Sequence, residues 1–144
     1  MDVVLDTSVL VAGLRSRRGA SHNILARLPN SDFHILLSVP LLIEYEAVLK
    51  RPEHLSAAGL DAAEIDVVLD MIAGNAKSVR LHYLWRPMLR DPSDDMVGEL
   101  AVAGNADTLV TLNIRDFRPL TRFFGIPVLS PGDFVALLNE ERLR

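Results

Sequence analysis

Four carboxylates in this 144-residue sequence stand where chemistry is possible: Asp6, Glu44, Asp94 and Asp116. Each lies just after a short apolar run or near the start of the helix expected to follow one. Asp6 closes the run 3–5 and directly precedes the hydroxyl pair Thr7 and Ser8. In an open parallel sheet, ligands bind beyond the carboxyl ends of the strands, so acids placed there face a crevice rather than the core. Four carboxylates converging with no Lys or Arg built into the motif repel one another, and a cation is expected among them. Hard oxygen donors select Mg²⁺ or Mn²⁺ over zinc. The remaining ligand types agree, because there is no cysteine and His22, His34, His54 and His82 show no metal-ligand spacing.

Each acid also fits a plainer structural role. Asp6 stands where it would cap a helix beginning near Ser8. Asp91, followed by Pro92 and by Asp94 three residues on, has the form of a cap at a helix start, where acids suit the macrodipole. Asn113 with Asp116 has the same spacing. Periodicity separates some of these cases. On the helix opened by Asp94, residues Val97, Leu100, Ala101 and Gly104 define the inner face, which turns Asp94 inward and puts Asp95 and Glu99 on the opposite, solvent side. On the helix over 39–50, Glu46 has Lys50 four residues on as a natural ion pair, whereas Glu44 has no charged neighbour at helical spacing. Glu44 is then either solvated at a helix edge or partnered from elsewhere.

The elements that would position these groups alternate. Strands are expected at 3–5, 33–37, 78–81, 108–111 and 127–129. Helices are expected from about Ser8, over 20–28, over 39–50 behind a Ser38 cap, over 61–75 starting at Asp61, from the acids at 91–95, and behind Ser130 with Pro131 in its first turn and Phe134, Val135 and Leu138 inward. Alternation of this kind implies one α/β domain over 1–144, a parallel β-sheet of about five strands flanked by α-helices in three layers. The connector 82–90 carries Trp85, Arg86 and Pro87 and receives no role.

Composition sets the outer limits. At 49% hydrophobic and 24% charged residues the chain is globular rather than disordered. Its length allows a core that needs neither disulfide nor structural metal. A formal charge of −4 argues against a protein that coats nucleic acid by bulk charge, though not against a nuclease whose acids are offset by metal. With no signal-like or membrane-length apolar segment, the expectation is a soluble, unexported protein of the cytoplasm.

Four stretches together resemble the PIN domain family, specifically the toxin-like, VapC-like members of bacterial toxin–antitoxin systems. They are VVLDTSVLVAGL, SVPLLIEYEAVL, DPSDDMVGELAVAGNADTLVTLNIRDF and FGIPVLSPGDFVALL. Their order and spacing cover nearly the whole chain. The resemblance implies a ribonuclease in which Asp6, Glu44, Asp94 and Asp116 bind Mg²⁺ or Mn²⁺ to cleave single-stranded RNA, with Thr7, Ser8 and Thr111 as supporting polar positions. It also implies a cognate antitoxin protein as partner and a homodimer. Asn113 departs from the pattern, standing where many relatives carry another aspartate, and Asp91, Asp95 and Glu99 are candidates to supplement the site.

In such an enzyme a bound cation acidifies water and polarises the phosphoryl oxygen, so no nucleophilic side chain is needed. Arg15, Arg17, Arg18, Arg86, Arg90 and Arg115 are candidate phosphate contacts. Two other readings stand beside this one. A haloacid-dehalogenase-like phosphatase also begins with an aspartate after its first strand but wants a second aspartate two residues on, where this chain has Ser8. A non-catalytic protein-binding α/β module would use the acids only as helix caps.

Overall fold

The computed structural model describes residues 1–28, 32–81, 89 and 92–142. Within them the strands β1 (Asp2–Leu5), β2 (His34–Leu37), β3 (Ala76–Ser78), β4 (Thr108–Val110) and β5 (Val128–Leu129) form one all-parallel sheet in the order β3-β2-β1-β4-β5. Parallel neighbours require crossover connections, which is why the apolar strands alternate with helices. The helices are α1 (Thr7–Arg15), α2 (Ala20–Arg27), α3 (Val39–Leu49), α4 (Pro52–Ala58), α5 (Ala62–Gly74), α6 (Pro92–Ala103), α7 (Arg118–Phe124) and α8 (Pro131–Arg142), with a 3-10 turn at Ile114–Phe117 leading into α7. The expected α/β architecture, a five-stranded parallel sheet flanked by helices, is the one the chain adopts.

Strand order places the site. β1 is central, with Val3, Val4 and Leu5 buried, because it alone has strands added on both sides at successive stages of the chain. The chain first fills one half of the sheet through β2 and β3, then returns to add β4 and β5 on the other side of β1. Such a reversal opens a crevice at the carboxyl ends of the two strands that flank it. The β1–β4 register runs Val3↔Thr108, Val4↔Leu109 and Leu5↔Val110, so Asp6 and Thr111 are the next residues out on either side of that seam.

Around the sheet, Leu10, Ile24, Leu41, Leu49, Ile65, Ile72, Leu100, Phe117 and Phe134 are buried in one core. Phe33 meets Phe134 edge to face at 5.1 Å between centroids. Close approach of α1 to α2 depends on Gly13: a Cβ there would lie 2.6 Å from Leu25 Cδ1 and 3.2 Å from the Ser21 backbone. The helix starts at Ser38 and Ser130 are capped as expected, each hydroxyl accepting a backbone N–H three residues on, from Leu41 at 3.2 Å and Asp133 at 3.1 Å. Asp61 and Glu64 form a reciprocal capping box.

Three features differ from the sequence expectation. β3 lies at Ala76–Ser78 rather than 78–81; it is an edge strand with Lys77 and Ser78 exposed, so no apolar run marks it. α4 was not anticipated, because it buries none of its residues and therefore leaves no hydrophobic periodicity. α7 follows the 3-10 turn with only Leu120 buried, too little pattern to read. The connector 82–90, apart from Leu89, lies outside the described residues.

Candidate active site

Asp6 occupies the N-cap position of α1 with an extended backbone, yet its carboxylate makes no capping hydrogen bond. Its Oδ2 instead accepts from Ser8 Oγ at 2.6 Å and Thr111 Oγ1 at 2.8 Å. The loop leaving β4 fixes the direction of both protons. Leu112 N–H donates to Ser8 Oγ at 3.2 Å, and Asn113 N–H donates to Thr111 Oγ1 at 2.9 Å. A hydroxyl has one proton to give. With a backbone N–H already on each oxygen, that proton is directed to Asp6. Asp6 and Thr111 are both buried, and Asp6 Oδ1 accepts no hydrogen bond among the described residues.

Glu44 arrives by a second tether. The β1–β2 register ends at Val3↔Ile35, and beyond it the Leu5 carbonyl accepts from the Tyr45 hydroxyl of α3. Burial, reinforced by the Asp6 charge, pushes the Tyr45 pKa far above its ordinary value, so the phenol remains the donor. This bond pins α3 to the end of β1, and Glu44, the residue before Tyr45, is half-buried at the same crevice. Among the described residues nothing pairs with Glu44. Glu46, on another face, meets Lys50 at 3.7 Å as its spacing suggested. Lys50 sits closer still to Asp66, at 2.7 Å, and its pKa is raised chiefly by that hydrogen bond.

Asp94, in the first turn of α6, completes the carboxylates. A cavity of about 560 Å³ brings Asp6, Glu44 and Asp94 together with Thr7, Ser8 and Asn113. Arg15 and Arg51 line the same cavity, so it is not free of cations as the motif alone suggested. Asp95, expected on the solvent side, is half-buried, and its Oδ1 accepts the Leu89 backbone N–H at 2.9 Å. The residue it serves lies six positions back, before the helix, a local contact that helix phase alone does not reveal. Glu99 is also half-buried rather than exposed.

Asp116 does not line the cavity. It is exposed in the 3-10 turn whose N-cap is Asn113. Three residues of 3-10 geometry carry it ~6 Å along the axis beyond that asparagine. Arg115 is exposed on the same turn. Arg17 and Arg18 line a separate cavity of about 320 Å³ with His22 and Arg27. Arg86, Arg90 and Asp91 lie outside the described residues.

The donors facing the main cavity are three carboxylates, two hydroxyls and an amide, with no imidazole. That set suits Mg²⁺ or Mn²⁺, since Mg²⁺ typically takes one or two carboxylates and keeps several waters. Among the described residues, no three His, Asp or Glu side chains are grouped closely enough to hold one ion between them. The acids therefore share a cavity without forming a closed ligand cage.

Sequence reasoning missed Arg51, His54 and the work of the Tyr45 hydroxyl. A signal existed for two of them. Pro52 marks a first helical position, which would have started α4 at Arg51. A Tyr within an apolar helix face needs a partner for its hydroxyl when buried.

The family described as the PIN domain matches residues 2–115 of this chain. Among solved structures, a chain of VapBC2 from Rickettsia felis, crystallised bound to a DNA fragment from the promoter, is similar with a TM-score of 0.58 and 19% identity, covering 90% of this chain and 98% of that one. At that identity the likeness is one of fold. No curated protein matches. The family match runs from β1 past β4 and takes in Asp6, Glu44, Asp94 and Asn113 together. The chain belongs to the PIN domain family.

Proposed function

We propose that this PIN domain is a Mg²⁺- or Mn²⁺-dependent endoribonuclease acting on single-stranded RNA, the toxin of a toxin–antitoxin pair. PIN domains are generally nucleases, and one observation carries the reading furthest: Asp6, Glu44 and Asp94 meet in a cavity at the reversal point of the sheet. If the acids were only caps, Asp6 would spend its carboxylate on the α1 backbone, and it does not.

When bound, the cation supplies an acidified water and a polarised phosphoryl oxygen. Asp6, Glu44 and Asp94 would share the ion, one or two of them directly and the rest through bound water, and Asn113 would add a neutral oxygen. Ser8 and Thr111 fix Asp6 through Oδ2, which leaves Oδ1 without a protein donor among the described residues. Tyr45 sets the position of the helix that carries Glu44. Asp116, exposed one turn beyond Asn113 and outside the cavity lining, takes an accessory part.

An antitoxin protein is the partner that the family reading brings, and the fold likeness to a chain of VapBC2 supports it. A homodimer is supported by exposed apolar side chains on two helices that pack against each other, Val39 and Ile43 on α3 and Val67 on α5. The cytoplasm is the proposed location.

Brief induction of the wild type and of Asp6→Asn in bacteria, with mapping of RNA ends, tests the function. New RNA ends and slowed growth with the wild type alone are expected. Equal RNA patterns for both proteins, each soluble, overturn it.

A further inference from the structure

The main cavity has two chemically different ends, and the carboxylates account for one. Thr7, Ser8, Val11, Ala12 and Arg15 all line it, positions that fall on successive turns of one face of α1. From Thr7 to Arg15, nine residues and eight steps of rise, the helix axis covers ~12 Å. Asp6 stands at the near end; Arg15 stands at the far end, and Arg51 lines the same cavity. Neither guanidinium is paired with a carboxylate among the described residues. Arg15 Nη2 instead meets His54 Nδ1 at 2.7 Å. A guanidinium only donates, so Nδ1 is the acceptor. The imidazole orients Arg15 without cancelling its charge.

α4 explains why these groups are together. It buries none of its own residues, yet it packs on α1 and α3, with Arg51 at its N-cap and His54 in its first turn. Leu55 packs partly buried against the core, while Arg51 and His54 are what α4 brings to the groove.

We infer that Arg15 and Arg51 form a phosphodiester subsite for a single nucleic-acid strand, with His54 as the residue that positions Arg15. The identity of the ligand rests on the nuclease reading. At a stacked rise of 3.4 Å per nucleotide, ~12 Å corresponds to roughly three to four nucleotides, and to fewer in an extended strand. The substrate is therefore an oligonucleotide that reaches from the carboxylates to the arginines, not a mononucleotide. Holding a phosphate at the far end offsets the repulsion that the acids impose on a polyanion at the near end.

Anisotropy of a dye-labelled single-stranded RNA, titrated across salt concentrations with Ca²⁺ in place of Mn²⁺ to slow turnover, tests the subsite. In Arg15→Gln and in Arg51→Gln the slope of log affinity against log salt should each fall by about 0.7, the single-strand value for one lost phosphate contact, with several-fold weaker binding. Arg122→Gln, exposed on α7 outside the cavity, should match the wild type. His54→Ala should weaken binding as Arg15→Gln does, while His54→Asn, which restores an acceptor near the Nδ1 position, should recover it. Unchanged slopes in both cavity variants overturn the subsite, as does an equal loss in Arg122→Gln or a wild type that binds no RNA. A wild type that binds with these slopes but cleaves nothing in Mn²⁺ supports the subsite and overturns the nuclease reading.

Discussion

Thr111 donates its hydroxyl proton to Asp6 Oδ2 at 2.8 Å, across the seam where β1 and β4 part. The two residues are the next pair in register beyond Leu5↔Val110. The bond therefore follows from strand alignment, which fixes the acid before any ion arrives. Ser8 repeats the contact from the first turn of α1.

Thr111→Val keeps the shape and removes that donor. It should lower Mn²⁺ affinity and cleavage by about 10- to 100-fold, the usual cost of losing a group that orients a metal ligand. The Asn113 N–H also loses its acceptor, which should cost about 1–3 kcal/mol of stability if the amide finds no water. Calorimetric Mn²⁺ titration and thermal unfolding of the variant separate the two effects.

Tyr45→Phe leaves the Leu5 carbonyl without its donor and should destabilise the fold by about 1–3 kcal/mol. It also changes the pH dependence. The folded state holds the Tyr45 proton more tightly than the unfolded chain, where tyrosine titrates at 10.0. The contribution is full below that pH and is lost as pH rises beyond it. Lys50, also raised in the fold, acts in the same direction. Unfolding curves from pH 8 upward should show the wild type losing its advantage over Tyr45→Phe as pH passes about 10.

Much of this was legible in the sequence where one element sufficed. Alternating apolar runs gave the parallel sheet, and the places of Asp6, Glu44 and Asp94 followed from strand ends and helix phase. What stayed hidden depends on two elements meeting. Asp95 was assigned to solvent because helix phase cannot see that Leu89 approaches it. Arg51 and His54 were passed over because α4 carries no apolar stripe. Asp116 shares a motif with Asn113, but a 3-10 turn sets it beyond the cavity, and turn type is not encoded in spacing.

Gly13→Ala should destabilise the protein by about 1–3 kcal/mol, because the added carbon meets Leu25 Cδ1 and the Ser21 backbone. A drop of several degrees in Tm is the expected reading. Cleavage per folded molecule should be unchanged, since the contact lies between α1 and α2 away from the acids.

Three aspartates separate holding an ion from holding the fold. Asp94→Asn should reduce cleavage by more than about 100-fold, beyond the range of groups that only orient a ligand. Asp116→Asn, outside the cavity lining, should reduce it less. Asp95→Ala should lower Tm, because it strips the acceptor from the Leu89 N–H, and should retain cleavage. Parallel kinetics and melting of the three variants check the ranking.

The central claim is that the carboxylates gathered at the reversal point of the sheet hold a divalent cation. Calorimetric titration of Mn²⁺ into the metal-free wild type and Asp6→Asn, both confirmed folded, tests it most directly. Saturable binding by the wild type, reduced at least tenfold in Asp6→Asn, is the expected result. Equal binding by the two proteins, or none by the wild type, contradicts the account.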